Sequence, residues 1–68
     1  MARPPIVVYP PTEGGGRRVR VDGQAIGLAR TLSELREFLR RAGMPNAEDV
    51  DLSDPALVEW RGGGPTRW

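Results

Sequence analysis

The dipeptide Asp22-Gly23 constrains the fold of this chain more than any other feature. A two-residue turn of this type needs positive φ at both positions, which Asp and Gly tolerate, so it specifies a tight hairpin over Arg17 to Ala29. The turn also predicts a register. Val21 faces Gln24, Arg20 faces Ala25, Val19 faces Ile26, Arg18 faces Gly27 and Arg17 faces Leu28. Side chains alternate across a strand. One face of the hairpin is therefore expected to carry Val19, Val21, Ile26 and Leu28, and the other Arg18, Arg20, Ala25 and Gly27.

A helix follows the hairpin. Thr31-Leu32-Ser33-Glu34 is a capping box, in which Thr31 and Glu34 satisfy backbone donors that the first turn leaves open. Leu32, Leu35, Leu39 and Ala42, with Phe38 beside them, form one apolar stripe. Glu34 and Glu37 come early and Arg40 and Arg41 late, which suits the helix dipole, and Glu37 and Arg41 have the spacing of an ion pair. Gly43 is the expected left-handed stop, Met44 is placed to contact Leu39, and Pro45 prevents continuation.

The remaining elements are shorter. Ile6 to Tyr9 reads as a strand from its β-branched and aromatic content, boxed by prolines on both sides. Thr12 to Gly16 is a flexible connection that lacks the ending of a phosphate loop. Asn46 to Asp54 is acidic and turn-like, with room for one helical turn at 47–50. Asp54-Pro55 can start a short helix, but a strand over Leu57 to Arg61 is preferred, because a crossover helix returns the chain to its sheet. The expected architecture is α+β, in the order β-β-β-α-β. A small, mostly antiparallel sheet of three to four strands carries one helix on one face. If the last strand runs parallel to the first, the strand order is 3-2-1-4. Residues 1–5 are expected to be a disordered lead, 6–61 one domain, and 62–68 a flexible Gly-rich tail ending in Trp68.

Composition limits the chemistry. The 68 residues contain no Cys, His or Lys, and all ten basic residues are Arg. A chain this short buries only about 60% of its extended surface, and it has neither disulfide nor zinc ligands to compensate. Most neutral-pH bases, nucleophiles and transition-metal ligands are missing too. We therefore read the chain as non-enzymatic, with no cofactor and no metal. Asp49 to Asp54 alternates oxygen-bearing side chains like a calcium loop. However, Asp54 stands where such a loop requires Gly, and Trp60 where it requires a bidentate Glu. No apolar run reaches the length of a signal peptide or membrane span, so no membrane partner is expected and the cytoplasm is the default location. Exclusive use of Arg, with abundant Gly, Ala and Pro, is read as coding bias rather than Arg-specific recognition.

The net charge of +1 makes no global case for nucleic acid. Residues 1–41 nevertheless carry eight Arg against four acids, and residues 42–68 two Arg against five acids. Arg18 and Arg20 are expected on a flat outer sheet face opposite the small residues Gly27 and Ala25. Solvation, with pairing to Glu59 from a neighbouring strand, explains them without a ligand. Arg36, Arg40 and Arg41 are placed on the helix exterior. Trp60 is expected in the core. Trp68 either folds back on an apolar groove, docks on another protein or is disordered.

The stretch Val19 to Gly43, VRVDGQAIGLARTLSELREFLRRAG, resembles the opening of β-grasp sulfur carriers, in which a hairpin with an Asn/Asp-Gly turn runs into a Thr-x-x-Glu-Leu helix ending at Gly. Such carriers end in a free Gly-Gly carboxylate. Here Gly62-Gly63-Gly64 is followed by Pro65-Thr66-Arg67-Trp68, so the resemblance transfers no function. The whole chain resembles small actinobacterial proteins of unknown function, which implies no activity. The sequence is read as a protein–protein interaction module, open to self-association, with Arg18, Arg20, Trp60 and Trp68 as contact residues. The second reading is weak binding of nucleic acid through an Arg17, Arg18 and Arg20 face, with Tyr9, Trp60 or Trp68 stacking on bases.

Overall fold

A computed structural model describes residues 4–68. It contains five elements: β1 (Ile6–Pro11), β2 (Arg17–Val21), β3 (Gln24–Ala29), α1 (Leu32–Arg41) and β4 (Val58–Trp60). The four strands form one mixed sheet in the order β3-β2-β1-β4. β1 is antiparallel to β2 and parallel to β4, and β2 is antiparallel to β3. This is the small α+β architecture expected from the sequence, and the last strand runs parallel to the first, the case that gives the order 3-2-1-4. No helix is long and apolar enough to cross a membrane among the described residues. Part of the expected lead, residues 1–3, lies outside the described residues. Pro5 is held by its carbonyl, which accepts a hydrogen bond from the Asp22 backbone N–H at 2.8 Å.

The hairpin turn is as expected, with φ of 52° at Asp22 and 81° at Gly23. Its register is not. Val21 pairs with Gln24 and Arg20 with Ala25, but Val19 pairs with Gly27, Arg18 with Leu28 and Arg17 with Ala29. One extra residue sits in β3 between Ala25 and Gly27. Ile26 and Gly27 therefore oppose Val19 together, which is a β-bulge. The bulge shifts the alternation by one residue, so Leu28 joins Arg18 on the outer face and Ala29 becomes fully buried. The bulge also turns Gly27 toward the helix. A Cβ on Gly27 would stand 3.3 Å from the Phe38 ring, so the absent side chain lets the helix approach the sheet.

The helix forms for the reasons its sequence predicts. Thr31 is the N-cap, and its hydroxyl accepts the Glu34 N–H at 3.1 Å. The return bond differs: the Glu34 carboxylate accepts the N–H of Arg30 rather than that of Thr31. At the far end the Gly43 N–H donates to Arg40 O and the Met44 N–H to Leu39 O, both at 3.0 Å, which is the Schellman closure. Glu37 sits 2.6 Å from Arg40 and 3.8 Å from Arg41, so the closer ion pair is one residue shorter than expected. Leu35 and Leu39 are fully buried, whereas Ala42 is the C-cap and is exposed, beyond the end of the stripe.

Two layers cover the inner face of the sheet. α1 packs against β3. The connection from Met44 to Leu57 packs on the same core, with Ala47 and Leu52 buried and Met44, Val50 and Leu57 half-buried. The central residues Ile6, Val8, Val19 and Val58 are at most 3% exposed. The ambiguous segment at Asp54-Pro55 resolves into a turn followed by a strand. The Asp54 carboxylate accepts the Ala56 N–H, and its backbone carbonyl accepts the N–H groups of Leu57 and Val58 before β4 begins.

Candidate functional site

The structure divides the expected contact residues into two groups on opposite sides of the sheet. Val58 and Trp60 pair with Ile6 and Val8, and so point inward. Arg18 and Arg20 lie between the inward residues Arg17, Val19 and Val21, and so point outward. Arg17 does not belong to the cationic face. It follows the inward parity of Val19 and Val21, and it is 0% exposed. Strand alternation carried that signal in the sequence, while simple adjacency to Arg18 concealed it.

Arg17 holds the inner site together. Its Nε–H donates to Tyr9 O at 2.8 Å, Nη1 to Gly64 O and Arg67 O at 2.8 and 2.9 Å, and Nη2 to Arg61 O and Gly63 O at 2.7 and 2.8 Å. A guanidinium has five N–H donors in a rigid fork, and here each is assigned to one backbone carbonyl. No carboxylate takes part. Burial lowers the pKa of the group and nearby Arg67 lowers it further, yet an Arg side chain stays charged in a protein. Carbonyl dipoles therefore replace water around the cation. The rings of Trp60 and Trp68 add π faces at 5.1 and 5.9 Å from its central carbon.

The carbonyls come from the segment expected to be a flexible tail. That segment bends back beside β1, and the Trp68 carbonyl accepts the Gly16 N–H at 2.6 Å. Gly62 makes the return possible: its φ is +76°, and a Cβ there would stand 2.7 Å from Pro10. Trp60 and Trp68 meet edge to face at 6.0 Å. Trp60 is half-buried against the core and donates its indole N–H to Leu52 O at 2.8 Å. Trp68, also half-buried, donates to Pro65 O at 3.0 Å.

Arg36 uses the same device on a smaller scale. Its Nη1 donates to the carbonyls of Ala47, Glu48 and Val50 at 2.9 to 3.1 Å, pinning the acidic connection to the helix. Placed on the helix exterior from the sequence, Arg36 thus uses its charge on carbonyls of the following connection. Within that connection, the Asp51 carboxylate accepts both the hydroxyl and the N–H of Ser53. Those bonds hold its pKa below the usual range, and the hydrogen bond from Arg40 does the same for Glu37. A carboxyl whose folded pKa is depressed stabilises the fold above its unfolded pKa, and that contribution is lost as pH falls through the folded value.

The outer face is left to its own side chains, since α1 and the connection both lie on the other face. Tyr9 is half-buried at its centre, with the Arg61 guanidinium 5.1 Å and that of Arg20 6.0 Å from the ring centroid. Glu59 pairs with Arg61, not with Arg18 or Arg20. Among the described residues neither Arg18 nor Arg20 meets a carboxylate, and Arg20 donates only to Gly23 O at 3.2 Å. Tyr9 and Arg20 form a ridge between two open hollows. One, of about 350 Å³, reaches Pro4, Val7, Glu59 and Arg61. The other, of about 430 Å³, reaches Arg18, Ala25 and Gly27. Sequence reasoning placed Arg18 and Arg20 on this face. It missed Arg61, whose outward parity follows from Glu59 two residues earlier.

A scan against protein-family models and searches of curated proteins and of solved structures found no match for this chain.

Two predictions follow from these sites. Arg17→Lys keeps the charge but offers three donors to five carbonyls. It is expected to cost roughly 2–5 kcal/mol in urea unfolding, and to speed hydrogen exchange in residues 61–68. Carboxyl carbon titration should show the Glu37 pKa rising in Arg40→Gln and the Asp51 pKa rising in Ser53→Ala. Unmoved values would remove the assigned causes.

Proposed function

We propose that the protein is a non-enzymatic interaction module that docks an acidic protein surface on the outer face of its sheet. The observation that carries this reading is the pair Arg18 and Arg20. Both are exposed and lack a carboxylate partner among the described residues, and they flank a half-buried Tyr9. Arg and Tyr are favoured anchors in protein interfaces because each joins apolar area to a directed polar group. A partner carboxylate would give Arg18 and Arg20 the charge-assisted bonds that the fold does not supply.

A second copy of the chain fits this face less well. In a two-fold contact, face on face, Arg18, Arg20 and Arg61 of each copy would be brought against the same three arginines of the other, with Asp22 and Glu59 to offset them. Nucleic acid is supported less by the arrangement than by the composition. Arg17 is buried, and Trp60 and Trp68 are engaged on the other side, so Tyr9 is the aromatic left for stacking. Trp60 and Trp68 enter the protein-docking reading as supports of the sheet rather than as contact residues.

An amide chemical-shift titration separates these readings. The first arm uses the acetylated peptide Glu-Glu-Leu-Glu-Glu, and the second a short mixed-sequence single-stranded oligonucleotide, each at low and at physiological salt. The expected result is saturable shifts at Val7, Tyr9, Arg18, Arg20 and Ala25 with the peptide, weakened about tenfold or more in Arg18→Glu/Arg20→Glu. The oligonucleotide is expected to give shifts that disappear by physiological salt. Peptide shifts absent from these residues would remove the proposal. Saturable oligonucleotide binding at physiological salt would assign the face to nucleic acid. Shifts that grow with protein concentration alone would assign it to self-association.

A further inference from the structure

We propose that the bulge in β3 builds an anchor slot in the outer face, which takes a partner's branched apolar side chain standing next to a carboxylate. This inference rests on the protein-docking reading and specifies its ligand. In a regular strand, outward side chains recur at every second residue and tile the face. In β3 they do not. Ala25 pairs with Arg20 and Leu28 with Arg18, so both lie on the outer side, while Ile26 and Gly27 share the position opposite inward Val19. Ile26 packs against the core, and the α-carbon of Gly27 is turned toward Phe38. The successive outward side chains of β3 are thus Ala25 and Leu28, three residues apart instead of two, and Ala25 brings only a methyl to the face.

The hollow of about 430 Å³ lies at this gap. Val19 is 1% exposed, so it contributes backbone rather than side chain to the lining. Ala25 and Gly27 make the floor, Tyr9 stands as an apolar wall, and Arg18 and Arg20 stand at the rim. Such a cleft is shallow and wide enough for one side chain of Leu size and too open for a free metabolite to be enclosed. The two guanidinium groups fix what must stand beside that side chain. They are exposed, carry two positive charges, and meet no carboxylate among the described residues. An anionic neighbour on the same peptide satisfies them, and a neutral or basic neighbour does not. The bulge therefore links fold to recognition: it turns Gly27 toward Phe38 on one face and spaces Ala25 from Leu28 on the other.

The test compares Glu-Glu-Leu-Glu-Glu with Glu-Glu-Ala-Glu-Glu, both acetylated, against the whole protein and two variants. The unmodified protein is expected to bind the Leu peptide about tenfold more tightly than the Ala peptide. Intermolecular NOEs should connect the Leu methyls to the Tyr9 ring and the Ala25 methyl. Ala25→Leu fills the slot with a side chain of this chain's own. It is expected to abolish the preference for Leu over Ala. Arg18→Gln is expected to weaken both peptides equally. If the two peptides bind alike, or if Ala25→Leu leaves the preference intact, the slot is wrong and the docking face survives. Failure of both peptides to bind removes the face itself. Should Ala25→Leu alter the folded amide spectrum, the NOE pattern in the unmodified protein decides the matter.

Discussion

The fold depends on a buried cation with no anion beside it. Arg17 lies in the second strand, and four of its five carbonyl partners lie 44 to 50 residues further along the chain. Each bond closes a long loop, so ordering the tail is the largest conformational cost the interaction must overcome. The guanidinium meets that cost because its donors are already fixed in one plane, and because a charged donor strengthens each bond. The requirement runs in both directions. The cation would be intolerable in the core without the carbonyls, and the glycine-rich tail would have little reason to fold without the cation. Trp60 and Trp68 then close the site against water from two sides.

This arrangement explains how so small a domain manages without disulfide or metal. Its largest fully buried side chain is an arginine, and the apolar core around it is thin. The helix covers one side of the inner face and the 44–57 connection the other, each tied down partly by Arg-to-carbonyl bonds. At Arg17 and Arg36, Arg is used for its geometry, so coding bias does not account for these two positions. The helix and the connection thereby cover the centre of the inner face. The outer face, with Tyr9 and its surrounding arginines, is covered by neither and carries the proposed docking surface.

Much of the fold was legible in the sequence, because the relevant signals are local. Asp22-Gly23, the Thr31 cap and the Gly43 stop each act within a few residues, and each forms its turn or end where expected. The fourth strand followed from the need to return to the sheet, a need that leaves its direction open. What escaped was non-local. The bulge at Ile26 turns Gly27 toward the Phe38 ring, which lies eleven residues further along the chain and across the core. The tail read as flexible because Gly62-Gly63-Gly64 has no packing signal of its own, and its partner is 44 or more residues upstream. Half of the expected contact set, Arg18 and Arg20, lies together on the outer face. The other half, Trp60 and Trp68, faces the opposite side, because residue identity alone does not report parity relative to a neighbouring strand.

The most direct test of this account is nitrogen–proton NMR of the Arg17 guanidinium in the unmodified protein. A cation caged by five carbonyls should show separate resonances for its side-chain protons, hindered rotation about the Nε–Cζ bond, and slow exchange with water. A single averaged signal that exchanges rapidly with solvent would mean that the tail does not hold Arg17. The account of how this chain completes its core would then fail.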